Sequence, residues 1–387
     1  MNIRFARENE KDNIREIWDY CFNDGPKFTD YYFEDKYDNK NTVVVEDENE
    51  NEIVSSLQLN QYKLVLNGKL YDTSYVVGVS TFPQVRGKGY MKNIMDFTLN
   101  ELYKKKQLVS ILMPIDYRLY RKYGYEHCYD QLEYELDIED LRVFKSSGDM
   151  KKANQNHIEE MIEIQESFLK NLNGNIKRDR SYYENLFKEV SSEDGHIYIH
   201  QGDRSRGYII YFINGENMFV RELYYTNLES LKAILKFIYN HNTQCEKVTI
   251  SAPVNDNIRF ILANPKTASI KLKPFMMGRV INFEEYLKTL NIKNHVEGSL
   301  NISIKDEFIK ENNNVFKINL ENNKLSIEKG EFTPNVEFDI NTISQLAFSY
   351  IDGREAFLLN NLEEDENVIE FLNSIFVKKE NYINEYI

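Results

Sequence analysis

Cysteine is scarce: the 387-residue chain has three, Cys21, Cys128 and Cys245, far apart and odd in number. Neither a disulfide framework nor a cysteine-built zinc site is suggested, and each thiol reads as a small apolar core residue. Basic charge is in deficit. Lys and Arg total 48 against 62 Asp and Glu, a formal net charge of -14. The clustered cations that phosphate backbones require are therefore missing, which argues against nucleic acid as the main partner, while a cationic amine would be attracted. Long apolar runs are missing too. No stretch of about 18 apolar residues appears, so no membrane-spanning helix is expected. Residues 1–12 are charged from Arg4 onward and hold no apolar core, which disfavours a secretory leader. Together these absences point to the cytoplasm, with no membrane partner. Small repeats and low-complexity tracts are absent. The chain stops at Glu385-Tyr386-Ile387 without a Gly/Ser-rich tail, and Ile387 is expected to be a natural end.

What is present suits a globular protein of two or three domains: 42% apolar and 28% charged residues. In 11–22, Ile14, Ile17, Trp18 and Cys21 recur at helical spacing. Two β-branched runs follow, 42–45 and 53–59. Asn67-Gly68 between apolar runs predicts a type I′ hairpin. A strand over 75–81 ends at Pro83, and Met91, Ile94, Met95, Leu99 and Leu102 form a helical stripe ahead of a strand over 108–113. This is a mixed α/β layout. The acidic, Lys-rich stretch 137–153 reads as a linker. Beyond it the order repeats: a helix near 158–168, strands over 207–213 and 219–225, a helix over 228–239 and a strand over 247–252. A last segment from about Asn294 has strands over 300–305, 315–320 and 324–328, then helices over 342–351 and 366–376.

The chemistry-bearing segment is Val76 to Tyr90. Its centre is Gln84-x-x-Gly87-x-Gly89, directly after a strand and before a helix. Such a turn exposes backbone N–H groups at a helix N-terminus, where the helix dipole suits a pyrophosphate. Glycines admit positive φ and close approach, and Arg86 and Lys88 add charge. A dinucleotide loop would need a third glycine and a downstream acid, and a Walker loop would need Gly-Lys-Ser/Thr; here Gly87-Lys88 is followed by Gly89. The spacing that remains is that of an acyl-CoA loop.

The segment resembles the acyl-CoA loop of the GNAT superfamily. The whole chain resembles the enhanced-intracellular-survival (Eis) type of N-acetyltransferase. Three stretches carry the likeness: Val79-x-Thr81-x-Pro83-x-x-Arg86-Gly87-x-Gly89-Tyr90, then Tyr120-Arg121-Lys122-Tyr123-Gly124-Tyr125, then Phe275-Met276-Met277-Gly278-Arg279-Val280-Ile281. The resemblance implies tandem GNAT folds with mixed, mostly antiparallel sheets flanked by helices, followed by a sterol-carrier-protein-like α+β domain. The expected division is 1–145, 146–290 and 291–387, the middle domain being a degenerate copy without the loop. The resemblance implies acetyl-CoA as cosubstrate, held by Val77, Gly78 and Val79 and by Val85, Arg86, Gly87, Lys88, Gly89 and Tyr90, with a further contact at Ile115-Asp116. It implies Tyr120 as general acid and the α-carboxylate of Ile387 as general base. It also implies an amine acceptor (aminoglycoside, polyamine or lysine-like) and a homo-oligomer, often a hexamer.

That chemistry is sound on its own terms. A neutral amine must attack the thioester, so a carboxylate must take its proton. Backbone near Val79 is a candidate oxyanion donor. A tyrosine, of reference pKa about 10 against about 8.5 for a thiol, can serve the leaving sulfur. Asp24 and Glu385 are further candidates to bind a cationic substrate. His196 and His200 are four residues apart in a strand, ~13 Å, too far for one metal, and no metal site is expected. The rival readings are a GNAT fold that binds acyl-CoA or lipid without catalysis, and an acyltransferase for a protein or peptide amine.

Overall fold

A computed structural model of the chain describes residues 1–47, 52–204, 206–292 and 297–386. The N-terminal part contains β1 (Asn2–Phe5), α1 (Lys11–Cys21), α2 (Pro26–Tyr31), β2 (Thr42–Asp47), β3 (Glu52–Leu66), β4 (Lys69–Thr81), α3 (Tyr90–Lys104), β5 (Val109–Leu112), α4 (Tyr117–Arg121) and β6 (Glu126–Asp137). The middle part contains β7 (Asp149–Lys152), α5 (Ile158–Leu169), β8 (Asn175–Ile176), α6 (Arg180–Ser192), β9 (His196–Gln201), β10 (Arg206–Asn214), β11 (Asn217–Tyr225), α7 (Leu228–Tyr239), β12 (Lys247–Ala252), α8 (Ile258–Ile261) and β13 (Ser269–Val280). The last part has α9 (Phe283–Thr289), β14 (Gly298–Lys305), β15 (Val315–Glu321), β16 (Lys324–Lys329), β17 (Val336–Asp339), α10 (Ile340–Ala347), α11 (Gly353–Leu359) and α12 (Glu366–Ile375).

The first two parts share one sheet, in the order β1-β2-β3-β4-β5-β13-β6-β12-β11-β10-β9-β7, with β8 beside β3. Each repeats the same crossover. β4 runs through α3 to the parallel strand β5, and β11 runs through α7 to the parallel strand β12. The two halves are not separate in the sheet. β13 follows the second unit in sequence, yet Met277 to Val280 pair with β5 while the strand's other edge pairs with β6. β6 in turn reaches β12.

Local sequence explains the units that were expected. Ile14, Ile17 and Trp18 are the buried face of α1. Asn67 and Gly68 have φ of 54° and 73°, as a type I′ turn demands. The expected linker over 137–153 is instead structured. Ile138, Leu141 and Phe144 are buried in the second core, and β7 pairs with β9 at the sheet edge. Their apolar spacing was hidden by the charges between them. Helix α6 was missed because Glu189, one of its buried positions, breaks the apolar stripe.

The last part is a four-stranded sheet ordered β16-β15-β14-β17 with helices packed on it. Its docking explains the third family-like stretch. Arg279 and Asp306, both fully buried, pair at 2.9 Å, and a Cβ on Gly278 would lie 2.6 Å from the Phe348 ring. The hairpin tip joins all three parts: Asn67 N donates to Asn173 Oδ1 at 2.7 Å and Asn67 Nδ2 to Ala347 O at 2.9 Å. Among the described residues, no helix is long and apolar enough to cross a membrane.

Candidate functional site

The site begins where two parallel strands part. β4 and β5 are paired from Thr73↔Val109 to Val76↔Leu112, and then β5 ends while β4 continues to Thr81. In that free stretch the register of β4 against β3 slips by one residue, between Ser56↔Ser80 and Gln58↔Val77. Gly78 makes the bulge possible. Its φ is +57°, and a Cβ there would lie 2.2 Å from both Gln58 Oε1 and the Trp18 ring. A bulge re-aims backbone groups out of the ladder, here at Val77, Gly78 and Val79.

The turn after β4 is built to leave donors open. A short 3-10 turn over Pro83–Val85 buries Val85. Gly87 and Gly89 follow with φ of 82° and 85°, and Gly89 caps α3 without a side-chain hydrogen bond. The first helical bond is Asn93 N to Gly89 O, so the N–H groups of the first turn have no helical acceptor. Arg86, Gly87, Lys88 and Gly89 are exposed around them, and Arg86 Nε donates to Thr81 O. Tyr90 is buried, with its hydroxyl donating to Asp47.

Tyr120 projects from α4 into the same apolar cluster as Val76, Val85, Tyr90 and Leu112. Burial, and then the neighbouring phenols of Tyr125 and Tyr123, push its pKa up to about 12. Asp116 stands outside this cluster. It caps α4 through Arg118 N and pairs with the Arg118 guanidinium, which lowers its pKa. Asp24 lies on the exposed rim, where its carboxylate accepts from Trp18 Nε1 at 2.9 Å.

The C-terminal tail threads between the two GNAT-like halves. Tyr382 N donates to Asn173 O, and Gln131 Nε2 donates to Ile383 O. Asn384 Nδ2 donates to Arg221 O, and Tyr75 OH donates to Glu385 O at 3.3 Å. The ring of Tyr386 packs on Phe275 and Phe219. Glu385 was expected to face a cationic acceptor; its oxygens are engaged within the protein. Arg178 NH2 lies 2.9 Å from Oε1, and Tyr182 OH donates to Oε2. Burial raises its pKa despite the Arg178 charge. Ile387 lies outside the described residues.

Between the halves, on the α1–α2 side of the sheet, is a cavity of about 480 Å³ lined by Asn60, Tyr62 and Lys36 from the first half and Tyr182 and Glu189 from the second. Sequence reasoning missed this wall. A signal was present: Ser56, Gln58 and Asn60 alternate with Leu57 and Leu59 along β3, a polar face on a central strand. Among the described residues, no group of three or more His, Cys, Asp or Glu could hold a metal ion. The His200 ring nitrogen Nε2 instead meets Ser147 O at 2.6 Å.

Comparison with known proteins matches this layout. An acetyltransferase (GNAT) domain model covers residues 2–128, another covers 174–280, and a sterol carrier protein domain model covers 283–384. No functionally curated protein matches the sequence. Among solved structures, a probable N-acyltransferase from Enterococcus faecalis is similar over 100% of this chain and 99% of its own, at 22% identity and a TM-score of 0.86. A GCN5-related N-acetyltransferase from Anabaena variabilis is similar over 100% of both chains, at 19% identity and a TM-score of 0.86. Eis1 from Mycobacterium abscessus is similar over 100% of both chains, at 12% identity and a TM-score of 0.78. With two GNAT domains ahead of a sterol carrier protein domain, the chain belongs to the GNAT acetyltransferases, and its whole fold is similar to that of Eis1.

Proposed function

We propose that the protein transfers an acetyl group from acetyl-CoA directly to the primary amine of a small acceptor: an aminoglycoside, a polyamine or a lysine-like molecule. One observation carries this reading. The uncapped N-terminus of α3, with its two positive-φ glycines, opens beside the place where β4 leaves β5. The donor set fits a pyrophosphate at 85–90, and the bulged β4 backbone at 77–79 fits an extended pantetheine arm laid along a strand. Bound acetyl-CoA supplies an activated thioester carbonyl.

The chain's own groups then have distinct tasks. Backbone N–H groups near Val79 serve the carbonyl oxygen as charge develops on it. With a pKa of about 12, Tyr120 keeps its proton at working pH. Full transfer to a thiolate of ordinary pKa is uphill, so its first task is to hydrogen-bond the leaving sulfur. The Ile387 α-carboxylate takes the ammonium proton; in support, Glu385, two residues earlier, accepts from Tyr75 of β4. Asp116 would meet the cofactor's outer part, and Asp24 would face the acceptor. A cytoplasmic homo-oligomer, as a hexamer, completes the reading.

The test is release of free thiol from acetyl-CoA with a panel of amines. Release that saturates with a small amine is expected. No release above background with any amine would replace this reading with a GNAT fold that binds acyl-CoA without catalysis. Tyr120→Phe should lower kcat with little change in acetyl-CoA affinity. Residues added after Ile387 should do the same; an extended chain of full activity would remove the terminal carboxylate from the mechanism.

A further inference from the structure

The charges around the interdomain cavity do not cancel evenly. Asp72 is held by Lys63 at 2.6 Å, and Asp35 by Lys188. Asp179 is occupied as the cap of α6, accepting from Tyr182 N at 2.9 Å. Lys177 is paired with Glu166. Glu189 is bound by Arg221 at 2.8 Å. Lys36 is what remains. Its ammonium reaches Glu189 and the Tyr62 hydroxyl only at 3.4 Å each, although it carries three donors. Burial opposes its charge, but the facing Tyr62 and Glu189 oxygens outweigh that and keep it protonated.

A second donor lies beside it. Asn60 Oδ1 accepts from Tyr32 OH at 3.0 Å, whereas its buried Nδ2 has no partner. Both residues line the cavity. The backbone also departs from regularity here. Residues Tyr32–Lys36 form a π-helical turn, closed by Tyr37 N to Tyr32 O, and Lys36 is its last residue. Such turns concentrate at functional sites. The inner end of the cavity thus offers an under-used cation and an unmatched amide donor, while the acids around it are held by Lys63, Lys188, Arg221 and the start of α6.

We infer that this end of the cavity binds a carboxylate, so that the acceptor is a small amino acid whose reacting amine lies on a flexible side chain. The placement supports the second half of that statement. Asn60 pairs with Tyr75 in β4, two residues before Val77. Two residues of strand span ~7 Å, so an amine directed at the β4–β5 split sits several bonds from a carboxylate held by Lys36 and Asn60. This deepens the acetyl-transfer reading and rests on it.

The experiment compares lysine with lysinamide, which lacks the carboxylate charge, as acceptors for the full-length protein. The wild type should favour lysine by about tenfold or more in kcat/KM, as a charge-assisted contact implies. Lys36→Met should erase that ratio through KM, and Lys36→Arg should keep most of it. Asn60→Asp, which sets a like charge against the carboxylate, should lower the ratio even if Lys36→Met does not fold. Equal use of the two acceptors by the wild type overturns the proposal, as does an unchanged ratio in Lys36→Met or Asn60→Asp. Release by other amines of the panel but by neither of these two overturns the proposal; should no amine at all release thiol, the transfer reading fails instead. Calorimetry with Nε-acetyl-lysine then reads the carboxylate subsite alone: binding weakened about tenfold by Lys36→Met supports it, and absent or equal binding overturns it.

Discussion

The two GNAT domains contain the same crossover, and they finish it differently. In the first, β4 is followed by a glycine turn, and α3 starts at Gly89 with no side-chain cap. In the second, β11 runs almost directly into α7, and Asn227 closes the helix start with a capping box: its side chain accepts from Ser230 N at 3.0 Å. Both strands carry a bulge ahead of the turn. At the first, Gly78 leaves room for Gln58 and Trp18. At the second, the extra residue is Arg221, whose guanidinium binds Glu189 and whose carbonyl accepts from Asn384 of the tail. The first copy leaves helix donors and strand edge available to a ligand. The second satisfies them with its own side chains and the chain's tail. The middle domain is therefore not an idle duplicate: its altered strand is a dock for the C-terminus.

Several substitutions would break or sharpen this contrast. The largest effect is expected at the bulge. Gly78→Val must place a branched side chain at positive φ against Trp18 and Gln58, which should cost about 3 kcal/mol in denaturant unfolding and abolish acetyl-CoA binding. A stable, binding-competent variant would show that the bulge does not need glycine. Next is Gly89→Asp, which sets a carboxylate at the open start of α3. Acetyl-CoA affinity should fall on the order of 10- to 100-fold by calorimetry, with about 1 kcal/mol of stability lost to the positive φ. Unaltered affinity would mean that the helix start does not face the pyrophosphate. The reverse experiment is milder. Asn227→Ala uncaps α7 and should cost about 1 kcal/mol of stability while leaving acetyl-CoA affinity as it was. A changed affinity would give the second domain a part in binding the cofactor.

The smallest effect concerns the tail and depends on pH. The folded pKa of Glu385 lies above its unfolded value, because of burial. Its protonated form is thus favoured by folding. That contribution is complete below the ordinary glutamate range and is lost as pH rises through the folded value. Glu385→Gln cannot ionise and keeps the shape. Unfolding curves should coincide with wild type at low pH, and the variant should gain on wild type as pH rises through that window. A pH-independent difference would place a fully ionised Glu385 beside Arg178.

Legibility followed the range of the interactions. The hairpin at Asn67-Gly68 and helix α7 were legible because turn chemistry and apolar period act over a few residues. So was the crossover into α3, where strand, glycines and helical stripe are contiguous. The stretch 137–153 misled because charges masked Ile138, Leu141 and Phe144. Gly278 and Arg279 were legible as a motif but not as a joint with the sterol carrier domain, since Phe348 and Asp306 lie far along the chain. Lys36 carried no signal at all. Its surplus exists only because Arg221, from the other half, holds Glu189.

The sequence by itself determined the chemistry of the turn from Val76 to Tyr90, because backbone φ, helix-start donors and spacing are local properties. It determined the order of domains through their periodic patterns. Only the tertiary structure decided that β13 completes the first domain's sheet, that the tail lies against the second domain's altered strand, and which cavity charge is held only by long contacts. Those outcomes depend on pairings between residues tens to hundreds of positions apart, and a cation's partner is set by distance in space.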